Sequence, residues 1–228
     1  MKKTLLALTL GLGLTSMAHA APERWVVVGD DTHSIVSGAV LNINRPDLLW
    51  TTLLQAQSRH QIINIAGGNS GYKYNAGLTT QQVNSALLAR PTGIIFAFGT
   101  WDWLAGQNLT FVRQELKKHL ALAKSMGVKA VCLTPPYRND YRTRKPNARG
   151  WTLNPIPGNI RITYATAIAA ECALGGAGVV YSFNAPIALD QVGPQNSFTR
   201  SHLRESGHAI LAQFIYNSMV NLGHLPPL

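Results

Sequence analysis

Short apolar runs alternate along the chain with longer segments in which apolar residues recur at helical spacing. The runs are nearly continuous in Val, Ile, Ala and Phe, and they occupy 25–28, 62–66, 93–98, 128–133 and 179–181. Such runs are typical of parallel strands that are covered on both faces. The helical spacing predicts helices over 48–58, 80–89, 110–126, 160–173 and 204–222.

The regular alternation of strand and helix predicts an α/β fold. We expect a three-layer α/β/α sandwich, doubly wound in the flavodoxin-like manner around a five-stranded parallel sheet. Thr110 suits the N-cap of the third helix, and Gly127 suits its C-terminal end. Because no repeat, linker or second domain is visible, residues 21–228 are predicted to form one domain.

The first twenty residues have the pattern of a secretory signal peptide. Lys2 and Lys3 precede an apolar stretch over 5–14, and Ala18-His19-Ala20 follows it. The pattern predicts cleavage after Ala20 and a periplasmic or secreted bacterial protein. The apolar stretch is shorter than the roughly 20 residues that span a bilayer, so no transmembrane segment is expected.

The charge balance is basic. The chain has 20 Lys and Arg against 10 Asp and Glu, a net +10, and removal of Lys2 and Lys3 leaves 18 against 10, or +8. This balance favours anionic partners. With 46% hydrophobic and 13% charged residues, the chain is not a disordered polycation. Nucleic acid is not expected as a partner, since no nucleic-acid motif is present and export is predicted.

The mature chain contains two cysteines, Cys132 and Cys172. No C-x-x-C or zinc-type spacing is present. Export would permit a disulfide between them. Cys132 lies in a predicted strand, where a buried free thiol is equally ordinary. Both alternatives remain open from the sequence.

Polar and glycine-rich loops follow all five predicted strands. Ligands of open α/β sheets bind beyond the carboxyl ends of the strands, where these loops lie. The loops read Gly29-Asp30-Asp31, Gly67-Gly68-Asn69-Ser70-Gly71, Gly99-Thr100-Trp101-Asp102, Thr134-Pro135-Pro136 and Ser182-Phe183-Asn184.

These loops resemble, in order, the motifs of the GDSL (SGNH) hydrolases. The Gly-Asp-Ser of that family corresponds to 29–31, its Asn-x-Gly-x-Ser-Gly loop to 64–71 with a small insertion, and its Gly-x-Asn-Asp to 99–102. The Asp-x-x-His of the family corresponds to 199–202. The resemblance covers essentially the whole mature chain. It implies hydrolysis or transfer of ester-linked acyl or acetyl groups without a cofactor or metal, with a small-molecule or glycan ester as ligand.

The resemblance also assigns roles to five positions, of which only two keep the family residue. Asp31 stands at the nucleophile, Gly71 at the oxyanion glycine, Trp101 at the oxyanion asparagine, Thr199 at the acid and His202 at the base. A carboxylate repels an oxyanion, and loss of one oxyanion donor typically costs about a hundred- to a thousandfold in turnover. We therefore expect weak, altered or absent ester chemistry. The alternative is a non-catalytic protein that binds an anionic or carbohydrate envelope ligand.

Other residues near these motifs offer substitutes. Ser34 lies about one helical turn beyond Asp31, and we expect Ser34 and Asp102 to be ligand-binding residues as well. Further candidate nucleophiles are Ser70 and Ser201, and Asp190 is a candidate acid. A hydrolytic metal is a minor alternative, with the candidate ligands Asp30, Asp31, His33, Asp102 and His202. The simpler interpretation is that Asp30 and Asp102 hold their loops through backbone hydrogen bonds.

A basic stretch over 138–149 follows the fourth strand. Its cations are Arg138, Arg142, Arg144, Lys145 and Arg149, and the neighbouring aromatic residues are Tyr137, Tyr141 and Trp151. We expect a loop that overhangs the crevice, in which Arg138 and Arg142 would bind anionic sugars or phosphates. A solvated basic loop without a ligand is the alternative.

Trp101 and Trp103, in the loop after the third strand, add a possible carbohydrate contact, since aromatic faces stack on sugar rings.

Overall fold

The computed structural model describes residues 22–30, 33, 46–68, 70–135, 142–147, 150–155, 158–187, 203 and 205–227. Of these, residues 46, 104, 142–147, 150–155 and 158–161 are described by their backbone alone.

Within the described residues, seven strands form two sheets. Their bounds are β1 Arg24–Gly29, β2 Gln61–Asn64, β3 Gly93–Ala97, β4 Lys129–Leu133, β5 Arg142–Asn147, β6 Gly150–Pro155 and β7 Gly178–Val180. Five of them form a parallel sheet in the order β2-β1-β3-β4-β7. The order reverses at β1, which pairs with both β2 and β3, so the fold is doubly wound as predicted.

The described part of the chain also contains six α-helices. Their bounds are α1 Trp50–Ser58, α2 Ala76–Leu88, α3 Thr100–Leu104, α4 Leu109–Ser125, α5 Gly158–Leu174 and α6 Glu205–Asn221. Short 3-10 turns occur at Pro46–Leu48 and Ser182–Asn184. Within the described ranges, none of these helices has the length and apolar character needed to cross a membrane.

Alternate side chains of the parallel strands enter two separate cores. In β1, Val26 and Val28 pack with α2, α4 and α5, whereas Trp25 and Val27 pack with α1 and α6. Both faces of the sheet are therefore buried under helices, which explains why the strands are apolar at nearly every position. The predicted three-layer sandwich is confirmed.

The predicted strands and helices are all present, with bounds that differ by a few residues. One cap was assigned wrongly: Asn108, not Thr110, is the N-cap of α4, and its side chain accepts a hydrogen bond from the Thr110 N–H at 2.8 Å. Gly127, with φ +69°, ends this helix region as predicted. The helix α3 was not predicted, because its five residues are too few to show a period.

The basic stretch is not the simple loop that we expected. Residues 142–147 pair with 150–155 as an antiparallel hairpin, in which Asn147 lies opposite Gly150. β5 was missed because its sequence, RTRKPN, lacks the apolar alternation that marks a half-buried strand. Arg142 lies in β5 opposite Pro155, and Arg138 lies outside the described residues.

A disulfide joins the central sheet to a covering helix. Cys132 of β4 and Cys172 of α5 are bonded, with their Cα atoms 6.4 Å apart, and both residues are fully buried. Of the two alternatives that the sequence left open, the structure has the bonded one.

We expect this disulfide to contribute strongly to stability, because it closes a segment of 40 residues in the unfolded chain. Loop-closure entropy for that length corresponds to about 4 kcal/mol. The free energy of unfolding of a Cys132→Ala/Cys172→Ala variant, measured in urea, should fall by about this amount. Reduction of the native protein should have a similar effect and should leave the variant unchanged. An equal response of both proteins to the reductant would contradict the prediction.

Candidate active site

The first and third loops are joined by Asp30, which follows β1. Its side chain is fully buried, and Oδ2 accepts a hydrogen bond from the Thr100 N–H at 3.3 Å. Its own N–H donates to the Ala97 carbonyl of β3 at 3.3 Å. The loop that leads to position 31 is thereby fastened to the start of α3.

Asp102 joins the third loop to the second. Its Oδ2 accepts from the Tyr72 N–H at 2.6 Å, and its Oδ1 accepts from the N–H groups of Lys73 and Tyr74 at 2.7 and 2.8 Å. Burial raises the pKa of Asp102, and the three amide donors offset only part of this effect. The interpretation that Asp30 and Asp102 hold loops is confirmed. A contact between Asp102 and a ligand stays a prediction.

Gly71 has no space for a side chain. A Cβ atom there would lie 2.7 Å from Oδ2 of Asp102. Its N–H donates to the Tyr74 carbonyl at 2.8 Å, and its carbonyl accepts from the Thr79 hydroxyl at 2.6 Å. A substrate oxyanion would have to replace the Tyr74 carbonyl to receive this amide. The oxyanion role of Gly71 therefore stays a prediction. The Tyr74 carbonyl would compete with an oxyanion for the Gly71 N–H.

Trp101, at the family's asparagine position, stacks on Tyr74. The two ring centroids are 5.4 Å apart, the ring planes differ by 16°, and both residues are partly exposed. Trp103, two residues further along α3, is instead buried in the core that also contains residues of α2, α4 and α5. The sequence-based hypothesis that both tryptophans could contact carbohydrate is thus wrong for Trp103, whose ring serves packing.

Ser70 does not have the environment of a substitute nucleophile. It is fully buried, and its hydroxyl lies 3.2 Å from the carbonyls of both Gly29 and Gly67. Gln82 of α2 completes this arrangement: Nε2 donates to the Gly67 carbonyl at 2.7 Å, and Oε1 accepts from the Gly29 N–H at 3.2 Å. Gln82 was missed in the sequence analysis, because only the packing of α2 against β1 brings it to these loops.

His33 lies in a buried cluster under the first loop. Its Nδ1 accepts from the Trp50 indole N–H at 3.2 Å, and its carbonyl accepts from the Asn64 side-chain amide at 2.8 Å. His208 of α6, which sequence reasoning also missed, accepts from the Trp50 backbone N–H at 3.4 Å. The hydrogen bond to Nδ1 occupies one of the two ring nitrogens with which His33 could bind a metal. Among the described residues, no three His, Cys, Asp or Glu side chains form a group that could hold a metal ion.

Several predicted site residues lie outside the described residues. They are Asp31, Ser34, Arg138, Asp190, Thr199, Ser201 and His202. Their roles stay predictions. The structure therefore brings together the scaffold of the predicted site, consisting of Asp30, Gly71, Trp101 and Asp102, on loops that follow neighbouring strands.

The sequence matches no family model and no curated protein. Solved structures share the fold. A lipolytic protein of the G-D-S-L family from Desulfitobacterium hafniense has 12% identity and a TM-score of 0.63, over 86% of this chain and 99% of that one. A lipase/acylhydrolase from Enterococcus faecalis has 18% identity and a TM-score of 0.61, over 90% and 98%. An acetylxylan esterase from Geobacillus stearothermophilus has 12% identity and a TM-score of 0.61, over 86% and 94%.

We expect Asp102→Asn to detach the second loop, because an amide NH₂ cannot accept the N–H groups that one carboxylate oxygen now receives. Loss of hydrogen bonds to a buried charged group should lower the free energy of unfolding by about 2 kcal/mol. Urea denaturation measures this change. Glu205→Gln, at an exposed carboxylate in the first turn of α6, is the control and should alter stability by clearly less than Asp102→Asn does. Equal effects of the two substitutions would contradict the prediction.

Tyr72 lies in the second loop, where its N–H donates to Asp102, and its side chain is buried in the core. Its ring meets Phe98 edge to face at 5.4 Å, and its buried hydroxyl has no hydrogen-bond partner in the part of the chain that the structure describes. Burial raises the pKa of Tyr72 well above its usual value, and the negative charges of Asp102 and Asp30 raise it further. The tyrosine is therefore protonated in the folded protein over a wider pH range than in the unfolded chain.

We expect Tyr72→Phe to stabilise the protein by about 1 kcal/mol, because it removes an unsatisfied buried hydroxyl and retains the ring. The raised pKa predicts a pH dependence as well. The unfolded tyrosine ionises near pH 10 and the folded one does not, so native stability should fall as the pH rises above 10. The advantage of Tyr72→Phe should grow over the same range. Urea midpoints at pH 7 to 11 test this, and an advantage that shrinks above pH 10 would overturn it.

Proposed function

We propose that this chain is a divergent, exported member of the GDSL (SGNH) hydrolases whose ester chemistry is weak or lost. One observation carries the proposal. At the position of the oxyanion asparagine, Trp101 has no amide to donate and stacks on Tyr74, and the Tyr74 carbonyl takes the N–H of Gly71. Of the oxyanion groups that the resemblance assigns, the asparagine amide is therefore absent and the Gly71 amide is engaged.

Family membership is supported by the placement of the motifs. The three motifs that fall on described residues follow β1, β2 and β3, which are adjacent in the sheet. Asp30 and Asp102 connect these three loops directly. The fold shared with lipolytic proteins and esterases adds support for a crevice at this edge of the sheet.

The reduced activity follows from the charge that an ester reaction generates. Each preorganised donor at the oxyanion is worth roughly two to three powers of ten in turnover. Trp101 lacks the side-chain amide that the family asparagine would supply, and a carboxylate at position 31 would oppose the same negative charge. A serine nucleophile also gains its reactivity from a histidine base that a third group orients. Thr199 would supply no charge to His202.

Export is supported by the N-terminal pattern and by the disulfide. Disulfides persist in oxidising compartments such as the bacterial periplasm and are rare in the cytosol. The buried bond between Cys132 and Cys172 suits such a compartment. We accordingly place the mature protein, beginning near Ala21, outside the cytoplasm.

A non-catalytic binding protein is the second candidate, and the stacked rings of Trp101 and Tyr74 favour it. Partly exposed aromatic rings at the ligand-binding edge of the sheet provide contact surface without catalytic groups. In this case the chain would retain the crevice of an esterase for recognition alone.

Hydrolysis of p-nitrophenyl acetate and butyrate by protein purified from the periplasm tests the proposal. The purified chain should begin near Ala21. Native turnover should be no faster than that of His202→Ala, and Asp31→Ser/Trp101→Asn should raise it by about a hundredfold, because one oxyanion donor alone is typically worth that much. Robust native turnover that disappears in His202→Ala would defeat the proposal. In that case the turnover of Ser34→Ala would be compared with that of Ser85→Ala, at an exposed serine of α2, to test Ser34 as the substitute nucleophile.

A further inference from the structure

We propose that Trp101 and Tyr74 form a binding platform for a pyranose ring, so that the ligand of this site is a glycan. This inference rests on the proposed function, since it names the ligand class of the same crevice. The stacked rings lie on the second and third loops, beyond the carboxyl ends of β2 and β3. Ligands of open α/β sheets bind at that edge.

The core does not account for the position of these two rings. Along the second loop, Tyr72 turns into the core and Tyr74 is partly exposed; along α3, Trp103 turns into the core and Trp101 is partly exposed. Tyr72 and Trp103, the buried residues of the two segments, are the ones that pack in the core. The two outward rings instead stack on each other across two separate loops, and each keeps part of its surface exposed.

The platform is held rigidly before any ligand arrives. Asp102, next to Trp101, receives the N–H of Tyr74, and the Tyr74 carbonyl receives the N–H of Gly71. The Trp101 carbonyl is engaged within the α3 region by the Ala105 N–H at 2.9 Å. A preorganised surface loses little conformational freedom on binding, which favours affinity for a weakly hydrophobic ligand such as a sugar.

The surroundings of the platform fit a sugar better than an acyl chain. Lys73 and Asn75, on either side of Tyr74, are exposed polar residues that suit sugar hydroxyls, and loop 71–75 has no acidic residue. The Lys73 ammonium lies 5.3 Å from the ring centroid of Phe111, which is about half exposed. A pocket for an acyl chain would instead be lined by apolar side chains. The cation also predicts that an acidic sugar binds more tightly than a neutral one.

Calorimetric titration of the mature protein with tetragalacturonate and with chitotetraose tests the platform. We expect both to bind, the acidic sugar more tightly. Trp101→Ala and Tyr74→Ala should each weaken binding by about tenfold or more, as removal of a central aromatic contact does. Leu88→Ala, at an apolar side chain that is 80% exposed at the end of α2 and near the start of β1, is the control and should bind as the native protein does. Lys73→Gln should weaken binding of the acidic sugar only.

Two further measurements show whether a loss of binding comes from a misfolded variant. They are the binding of Trp101→Leu, which keeps an apolar side chain, and the indole N–H resonances of the native protein. Trp25, Trp50 and Trp103 are buried, so a sugar on the platform should shift the Trp101 resonance and leave those three in place. The inference would be overturned if neither tetragalacturonate nor chitotetraose bound. A Trp101-dependent response to decanoate in place of the sugars would also overturn it and indicate an acyl-chain site. Turnover of p-nitrophenyl acetate, a substrate without a sugar, is measured on the same samples, so the proposed function succeeds or fails independently.

Discussion

The hydrogen bonds to the carboxylate of Asp102 are the interaction on which the candidate site depends. One side chain at the start of α3 receives three consecutive backbone N–H groups from the loop between β2 and α2. Those amides lie next to fully buried residues, and each would be costly to leave without a partner. The carboxylate satisfies all three at once. It therefore determines the path of the second loop relative to the third, and with it the place of every residue between 71 and 74.

The features that distinguish this site follow from that arrangement. The closeness of Asp102 excludes any side chain at position 71. The tight loop turns the Tyr74 carbonyl onto the Gly71 amide and brings the Tyr74 ring onto Trp101. Had position 101 been asparagine, the same loop would have lain beside a hydrogen-bond donor. With tryptophan, it lies against an aromatic ring that stacks on Tyr74.

The rest of the fold supplies the rigidity that this arrangement needs. β1 and β3 are buried on both faces, and Asp30 connects their ends through the Ala97 carbonyl and the Thr100 amide. Gln82 connects the first and second loops from the outer layer of helices. A disulfide holds β4 to α5 on the same side of the sheet. The described parts of the loops after β1, β2 and β3 are thus attached to one another and to the sheet through buried hydrogen bonds.

The layered architecture could be derived from the sequence, because strands buried on both faces must be apolar throughout and amphipathic helices must repeat at helical spacing. The loops that would carry the site could be located for the same reason, since they are the polar segments after those strands. The sequence alone did not reveal β5, whose cations show no alternation, or the cap at Asn108. Nor could it show that Trp101 turns outward and Trp103 inward, that Gln82 reaches the Gly29 amide, or that Cys132 meets Cys172. Each of these depends on contacts between residues distant in the chain, and only the packed tertiary structure decides which distant groups become neighbours.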